Sequence, residues 1–599
     1  MFQDFSVQSR PELGPPRLSA LRGAIKAAGL DGFIVPRADA HQGEYVAPCD
    51  ARLGWLTGFT GSAGFCIALP EIAGVFVDGR YRVQVRAEVD PGAFTPVNWP
   101  ETKPADWLRT QAQPGARIGF DPWLHTKSEI AKIREGLDGS GIALVESANL
   151  IDRVWEDRPA PPAAPARIHP PEFAGESAEE KRARLAEDLR KQGAAAAVLT
   201  LPDSICWLLN IRGSDLPRNP ILQAFAVLFE DASVKLFAAE AKFDATLRAH
   251  LGSEVSILPP EGFGAALEAI EGPVLVDPDS APLAVSLRLA DHDTKVLEAR
   301  DPCILPKARK NPAEIAGMEA AHLRDASAMV EFLSWLDAEA PKGRLSEIDV
   351  VTALEGFRRE TNALLDISFD TICGAGPDGA IVHYRVNEAT NRPVKPGELL
   401  LVDSGGQYVD GTTDITRTVA VGDVPDEARR PFTRVLQGMI AISRARFPRG
   451  LAGRDLDALA RAPLWAEGWD YDHGTGHGVG AALCVHEGPA RISRISEIAL
   501  EPGMILSNEP GYYREGAFGI RIENLILTQA AETKGDGRDQ LAFATLTWVP
   551  IDRRLIDPDL LGPDERDWLD AYHAEVLRRV APLVGEGAKR WLETACAPI

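Results

Sequence analysis

Along the first 300 residues the apolar positions recur twice in one order. Leu21 and Ile25 stand four apart, Gly29 follows, and Phe33-Ile34-Val35 forms an unbroken apolar run; Leu185 and Leu189 stand four apart, Gly193 follows, and Ala197-Val198-Leu199 is the matching run. A spacing of four places side chains on one helix face, and a short apolar run after a glycine reads as a buried strand. Each copy continues into a Trp-Leu anchor, Trp55-Leu56 before Gly61-Ser62 and Trp207-Leu208 before Gly213-Ser214. Helix, strand and anchor in the same order predict a duplicated α/β unit with mixed sheets.

Two breaks divide the rest. Asp157 to Glu172 carries six prolines, which fit neither a helix interior nor a central strand, so it reads as a stiff linker. Near residues 307–314, Asn311 is a candidate N-cap, Pro312 suits the first helical position and Glu314 completes a capping box. From about 311 the pattern is α+β: helical stretches at 311–337, 346–360 and 427–446 alternate with the strand-like runs ELLLVDSG, DITRTVAVG, MILSNEPGYY and GIRIENLILT. The last fifty or so residues read as two amphipathic helices broken at Gly585 and Gly587. These patterns predict domains over 1–160, 161–310, 311–540 and 541–599.

Composition narrows the function. A chain of 599 residues exceeds one hydrophobic core. Apolar residues at 45% and charged residues at 25% describe a globular protein, and a formal charge of −23 argues against nucleic acid or an anionic membrane as partner. The seven cysteines are scattered and form no C-x-x-C pair, which argues for a reducing compartment. The first residues lack the apolar core of a secretory leader, and no apolar run approaches 18 residues. A cytoplasmic protein is expected.

The chemistry concentrates after residue 400. Asp403 closes the apolar run Leu399-Leu-Leu-Val402, where a buried charge is costly unless something compensates it. Turn signals at Gly405-Gly406 and Asp410-Gly411 fold the chain back, so that Asp414 can face the same point. Glu509 lies in LSNEPGYY; Glu523 lies in GIRIENLIL, and Arg521 shares its strand parity. In YDHGTGHGVG, His473 and His477 stand four apart on a segment that four glycines keep from being a helix. Four carboxylates with one imidazole, His477, suit Mn²⁺, Co²⁺ or Zn²⁺ in a two-metal site. Two divalent cations would neutralise a charge of about −4 that otherwise repels itself or takes up protons.

These residues carry a family resemblance. Asp403 and Asp414 eleven apart, His477 in HGTGHGVG, Glu509 in NEPGYY and Glu523 in IRIEN resemble the pita-bread metallopeptidases, which include methionine aminopeptidase, prolidase and aminopeptidase P. The strings DSGGQYVDGTTDITRT, HGTGHGVGAALCVHEGP and GIRIEN, with GFTGSAGF, VDGRYRVQ and PRNP, are most similar to the three-domain cytosolic aminopeptidases P. The resemblance implies two creatinase-like α/β domains followed by a pita-bread catalytic domain. It implies that Asp403, Asp414, His477, Glu509 and Glu523 bind two metal ions, most often Mn²⁺, with Asp414 and Glu523 shared between them. Glu509 would also be the general base for a hydroxide held between the metals, and His383 in IVHYRV and His486 in CVHEGP would contact substrate and stabilise developing negative charge. Arg80 in DGRY, His473, Tyr513 and Arg521 join the substrate-binding set, and a homodimer acting on peptides with penultimate proline is implied.

Rival readings are weaker. GHGVGA fits a nucleotide fingerprint formally but follows no clear strand. A non-catalytic binding module, or a creatinase-like hydrolase without metal, conflicts with five intact ligands. A prolidase shares the ligands but usually has two domains, and the duplicated first half favours aminopeptidase P.

Overall fold

The computed structural model describes residues 1–423 and 426–599. The chain forms two compact units: Gln8–Pro171 with Glu176–Ile304, and Leu305–Ile599 with the short segments Met1–Val7 and Glu172–Gly175.

The first unit contains one sheet twice. Strands β1 (Gly32–Pro36), β2 (Phe65–Ala68), β3 (Ala73–Val77), β4 (Thr95–Asn98), β5 (Arg117–Phe120) and β6 (Ala143–Glu146) lie in the order 4-3-2-1-5-6. Strands β7 (Ala196–Leu199), β8 (Phe225–Phe229), β9 (Val234–Phe237), β10 (Val255–Leu258), β11 (Val274–Val276) and β12 (Val296–Glu298) repeat that order as 10-9-8-7-11-12. The pairings repeat too: the central strand is antiparallel to the second and parallel to the fifth, in β1 with β2 and β5 as in β7 with β8 and β11. In β1, Phe33 and Val35 face a core with Leu21 and Ile25 of helix α1 (Gly14–Ala27), whereas Ile34 faces Trp107, Ile118 and Ile130. Covered on both faces, the strand reads as a continuous apolar run rather than an alternating one. The Trp-Leu anchors are equivalent as well. Arg17 of α1 lies over Trp55 at 4.6 Å, and Lys181 of helix α2 (Ala178–Gln192) lies over Trp207 at 4.3 Å; each cation stands four residues before the matched leucine, Leu21 or Leu185.

The second unit opens with helix α3 (Pro312–Glu339), whose Asn311–Glu314 capping box is present as the sequence predicts, followed by α4 (Glu347–Glu360). A three-stranded sheet joins β13 (Ile372–Ala375), β14 (Leu399–Ser404) and β15 (Ile415–Ala420). Helices α5 (Arg429–Ser443) and α6 (Arg454–Trp465) come next. Further strands of three or more residues are β16 (Arg446–Pro448), β17 (Gly476–Gly478), β18 (Glu487–Ile492), β19 (Ile505–Asn508), β20 (Gly511–Arg514), β21 (Phe518–Arg521), β22 (Asn524–Ala531) and β23 (Gln540–Thr545). Six of them form a sheet in the order 16-23-22-19-17-18, and β20 with β21 forms a separate ribbon. Two runs that look like single strands in the sequence are therefore broken. MILSNEPGYY leaves the large sheet at Glu509-Pro510, where proline has no N–H for the ladder, and GIRIENLILT changes sheets at Ile522-Glu523. The C-terminal helices are α7 (Pro563–Val580) and α8 (Glu586–Ala595); Gly585 caps α8, and Gly587 lies within it rather than interrupting it.

Candidate metal centre

Asp403 is the penultimate residue of β14 and Asp414 precedes β15, its antiparallel neighbour, so the turn between them brings both carboxylates to one end of the small sheet. His477 enters on β17. Glu509 and Glu523 occupy the two strand breaks, where the backbone turns away from its ladder and releases each side chain toward the same place. One ligand atom each from Asp414, His477 and Glu523 lies within 4.8 Å of the others. His477 Nε2 is 3.5 Å from Asp414 Oδ2 and 3.3 Å from Glu509 Oε1. Its Nδ1 lies 3.0 Å from the Gly478 carbonyl, so that nitrogen donates and Nε2 is the one turned to the carboxylates.

The residues fit a metal pair. Among the described residues Asp403 Oδ1 and Glu523 Oε1 are buried with no hydrogen-bond partner, while the other oxygen of each carboxylate is held, by Arg521 Nη2 at 2.6 Å and by Thr416 Oγ1 at 2.8 Å. Buried carboxylate oxygens without a donor are rare in folded proteins, and a cation satisfies them. Burial, and then the neighbouring carboxylates Glu523, Asp403 and Glu509, push Asp414 well above the usual range. Glu523 is raised by burial and by Glu509 and Asp403. Burial lifts Glu509 to about 7 against the opposing pull of Arg521. Without cations the cluster keeps protons; with them it can release these.

Of the other expected residues, Arg521, Tyr513 and His473 form a relay. Arg521 is 1% exposed, and its Nη1 donates to the Tyr513 hydroxyl at 2.6 Å. His473 Nδ1 donates to the Gly474 carbonyl, leaving Nε2 to accept from Tyr513 at 2.9 Å. The His486 ring centroid lies 4.2 Å from that of His477. His383 is half-buried on the segment after residue 380, beside Tyr384, whose hydroxyl donates to Glu347 at 3.0 Å. Arg80 belongs to the first unit, where it pairs with Asp78 at 2.7 Å.

Two glycines of HGTGHG, Gly476 and Gly478, make room for neighbouring backbone. A Cβ on Gly476 would lie 1.9 Å from the Ser507 carbonyl of β19, and one on Gly478 would lie 2.3 Å from the Glu487 carbonyl of β18. They allow neighbouring strands to approach the one that carries His477.

A set of buttressing residues was not read from the sequence. Arg461 Nε binds Asp457 at 2.8 Å, and its other nitrogens donate to Asp470 and to the carbonyls of Tyr471 and His473. Thr475 Oγ1 donates to Asp457 at 2.6 Å, and the Thr475 carbonyl accepts from Glu509 N–H. Ser507 Oγ accepts from His477 N–H and donates to Glu509 Oε1, both at 2.9 Å. An i,i+4 Asp–Arg pair on an amphipathic helix reads as a solvated pair, and nothing in its spacing marks it as buried.

Residues 316–530 match the family model of metallopeptidase family M24, 17–154 and 157–314 match creatinase/prolidase N-terminal domains, and 539–599 match the C-terminal region of that peptidase family. Over 97% of its length the chain is 40% identical to a probable Xaa-Pro aminopeptidase P of Aspergillus fumigatus, covering 92% of that protein. The chain belongs to metallopeptidase family M24. A probable Xaa-Pro aminopeptidase P of Aspergillus niger is 39% identical over 97% of this M24 chain and 98% of its own. The crystal structure of an X-prolyl aminopeptidase from Caenorhabditis elegans, described as a cytosolic enzyme with a di-nuclear active site, superposes with a TM-score of 0.93 at 34% identity, over 98% of this chain and 99% of that one.

Proposed function

We propose that this M24 protein is an Xaa-Pro aminopeptidase, which releases one N-terminal residue from peptides whose second residue is proline. The observation that carries the reading is likeness over the full length, both creatinase-like halves included, to proteins bearing that name. Prolidase is the alternative with the same ligand set.

Asp403, Asp414, His477, Glu509 and Glu523 would hold two divalent ions, Mn²⁺ by preference, with Zn²⁺ and Co²⁺ also suited to the donor set. Such ions, when bound, lower the pKa of a coordinated water and polarise the scissile carbonyl. Glu509 takes the proton of the attacking water, and Ser507 holds the carboxylate by one oxygen so that it is aimed. His486 and His383 donate to the carbonyl oxygen as negative charge develops there. The Arg521–Tyr513–His473 relay fixes one wall. An Xaa-Pro bond offers no N–H, so a site that demands no donor there admits it, and the rigid ring costs little to order. A homodimer in the cytoplasm, and domains divided near residues 160, 310 and 540, belong to the same proposal. Among the described residues no helix is long and apolar enough to cross a membrane.

The test is Arg-Pro-Pro beside Arg-Pro and Arg-Ala-Ala. The first bond of Arg-Pro-Pro should be cut while Arg-Ala-Ala stays intact. Cleavage of Arg-Pro alone would move the assignment to prolidase.

A further inference from the structure

Behind the carboxylates lies a buried cation bonded to uncharged oxygens. Arg417 of β15 is 1% exposed. Its Nε donates to the Pro550 carbonyl at 3.0 Å, and Nη1 donates to the carbonyls of Thr416 at 2.9 Å and Glu523 at 2.6 Å. Nη2 is shared among Asn524 Oδ1 at 2.8 Å, the Val549 carbonyl at 2.7 Å and the Tyr572 hydroxyl at 3.0 Å. All five N–H groups of the guanidinium therefore have acceptors, and none of those acceptors is a carboxylate.

Those acceptors join two parts of the unit. On one side are the backbones of Thr416 and Glu523. Thr416 Oγ1 also donates to Glu523 Oε2, and its carbonyl accepts from Glu523 N–H at 3.1 Å. On the other side is the segment 547–551, which helix α7 fixes with two consecutive residues. The Tyr572 hydroxyl donates to the Val549 carbonyl at 2.7 Å, and buried His573 accepts from Ile551 N–H at 3.1 Å through Nε2. Tyr572 is itself stacked on Trp568, with ring centroids 5.2 Å apart. A continuous path runs from the C-terminal helix through Arg417 to the main chain of the carboxylate at the second strand break.

We infer that Arg417 and Tyr572 are positioning residues for the metal centre, and that the C-terminal helices belong to it functionally. The fork of Arg417 sets where Glu523 presents its carboxylate, and Tyr572 sets the fork. The charge of Arg417 adds a fixed positive pole behind a cluster of four acids. Partners of this kind, one shell beyond the ligands, typically change metal affinity by about 10–100-fold when removed.

This inference rests on the metallopeptidase reading, and the experiment separates the two. Metal-stripped full-length protein is titrated with Mn²⁺ by calorimetry as wild type, Tyr572→Phe, Arg417→Lys, Arg417→Gln and Arg578→Ala. Arg578 is exposed on the same helix and pairs with Glu575, so its loss disturbs α7 without touching the path. Melting curves of the stripped proteins establish that each is folded. Arg417→Gln should weaken Mn²⁺ binding by ~10–100-fold and Tyr572→Phe by roughly 10-fold, with Arg417→Lys between them because it keeps the charge but loses the fork. At saturating Mn²⁺, kcat on Arg-Pro-Pro should fall with KM unchanged. Tyr572→Phe preserves the ring packing, so it decides the matter if Arg417→Gln does not fold. Affinities of Tyr572→Phe and Arg417→Lys within twofold of wild type would overturn the inference, as would an equal loss in Arg578→Ala. A wild type that binds none of Mn²⁺, Zn²⁺ and Co²⁺ would overturn the two-metal reading and this inference with it.

Discussion

Gly474 and Gly476 flank Thr475 and look interchangeable in the string HGTGHG. Alanine should be tolerated at one and not at the other. A Cβ on Gly474 would have its nearest neighbour, Ser493 Cβ, at 3.5 Å, an ordinary contact. At Gly476 the Ser507 carbonyl lies 1.9 Å away, and side-chain carbons do not sit closer than 3.0 Å, so β17 and β19 must separate by at least 1.1 Å. Both strands carry or adjoin proposed ligands, His477 on one and Glu509 just after the other. Ligand distances tolerate only about 0.2 Å, and a misplacement of 1 Å costs about 10²-fold in rate. Forcing extra volume into a packed strand pair also costs about 1–3 kcal/mol of stability. Gly476→Ala should thus bind Mn²⁺ poorly, lose roughly 10²-fold or more in kcat/KM and melt lower, whereas Gly474→Ala should match wild type in all three. Calorimetry with Mn²⁺, steady-state rates on Arg-Pro-Pro and thermal melts form the assay. Two variants that behave alike, whether both active or both dead, would refute the claim that strand approach sets the glycine requirement.

Other outcomes follow from the site's charge and symmetry. Burial and the crowding of Asp414, Glu509 and Glu523 hold protons on them, Glu509 to about 7, so the folded metal-free protein binds protons that the unfolded chain has released. The stability these groups confer is then fully present below the usual carboxylate range and falls as pH rises through 7. Mn²⁺ added at pH 6 should release protons, seen as a binding heat that varies with the ionisation enthalpy of the buffer; a buffer-independent heat would refute this. His486→Ala should lower kcat by roughly 10²–10³-fold at saturating Mn²⁺, and Asp414→Asn by more, because it removes a ligand charge; an unaffected Asp414→Asn variant would show the ligand assignment to be wrong. Light scattering at micromolar concentration should give twice the chain mass of 64.7 kDa, and the mass of a single chain would count against the dimer.

Much of the molecule is legible in the chain because its signals are local. The capping box at Asn311 and Glu314, the apolar runs and the duplicated helix–strand–anchor order depend on neighbours a few residues apart, and all are present. The parity of Arg521 and Glu523 also holds, for both reach Thr416 Oγ1 although the strand breaks between them. What escapes is set by distant partners. Pro510 marks a break after Glu509, but nothing beside Glu523 announces that the chain changes sheets there; that follows from which strands compete for the ladder. Asp457 and Arg461 look like surface charges until α6 is set against the histidine loop. Arg417 looks like the outward residue of DITRT, and its acceptors at 549, 550 and 572 lie far along the chain.

The five carboxylate and imidazole residues are spread from 403 to 523, and the clamp behind them reaches 572. With the clamp, the set spans about 170 residues of chain, and no single element holds more than one of the five. During synthesis, therefore, the first unit can fold and bury its two sheets while the acids that form the centre are still unpaired or not yet made. The pocket closes only after Glu523 has been added and α7 has followed it. On the proposed ligand set, capture of metal is then a late event, governed by the ions around a finished fold rather than around a growing chain, and a chain stopped before α7 would carry every proposed ligand without the piece proposed to aim the last of them.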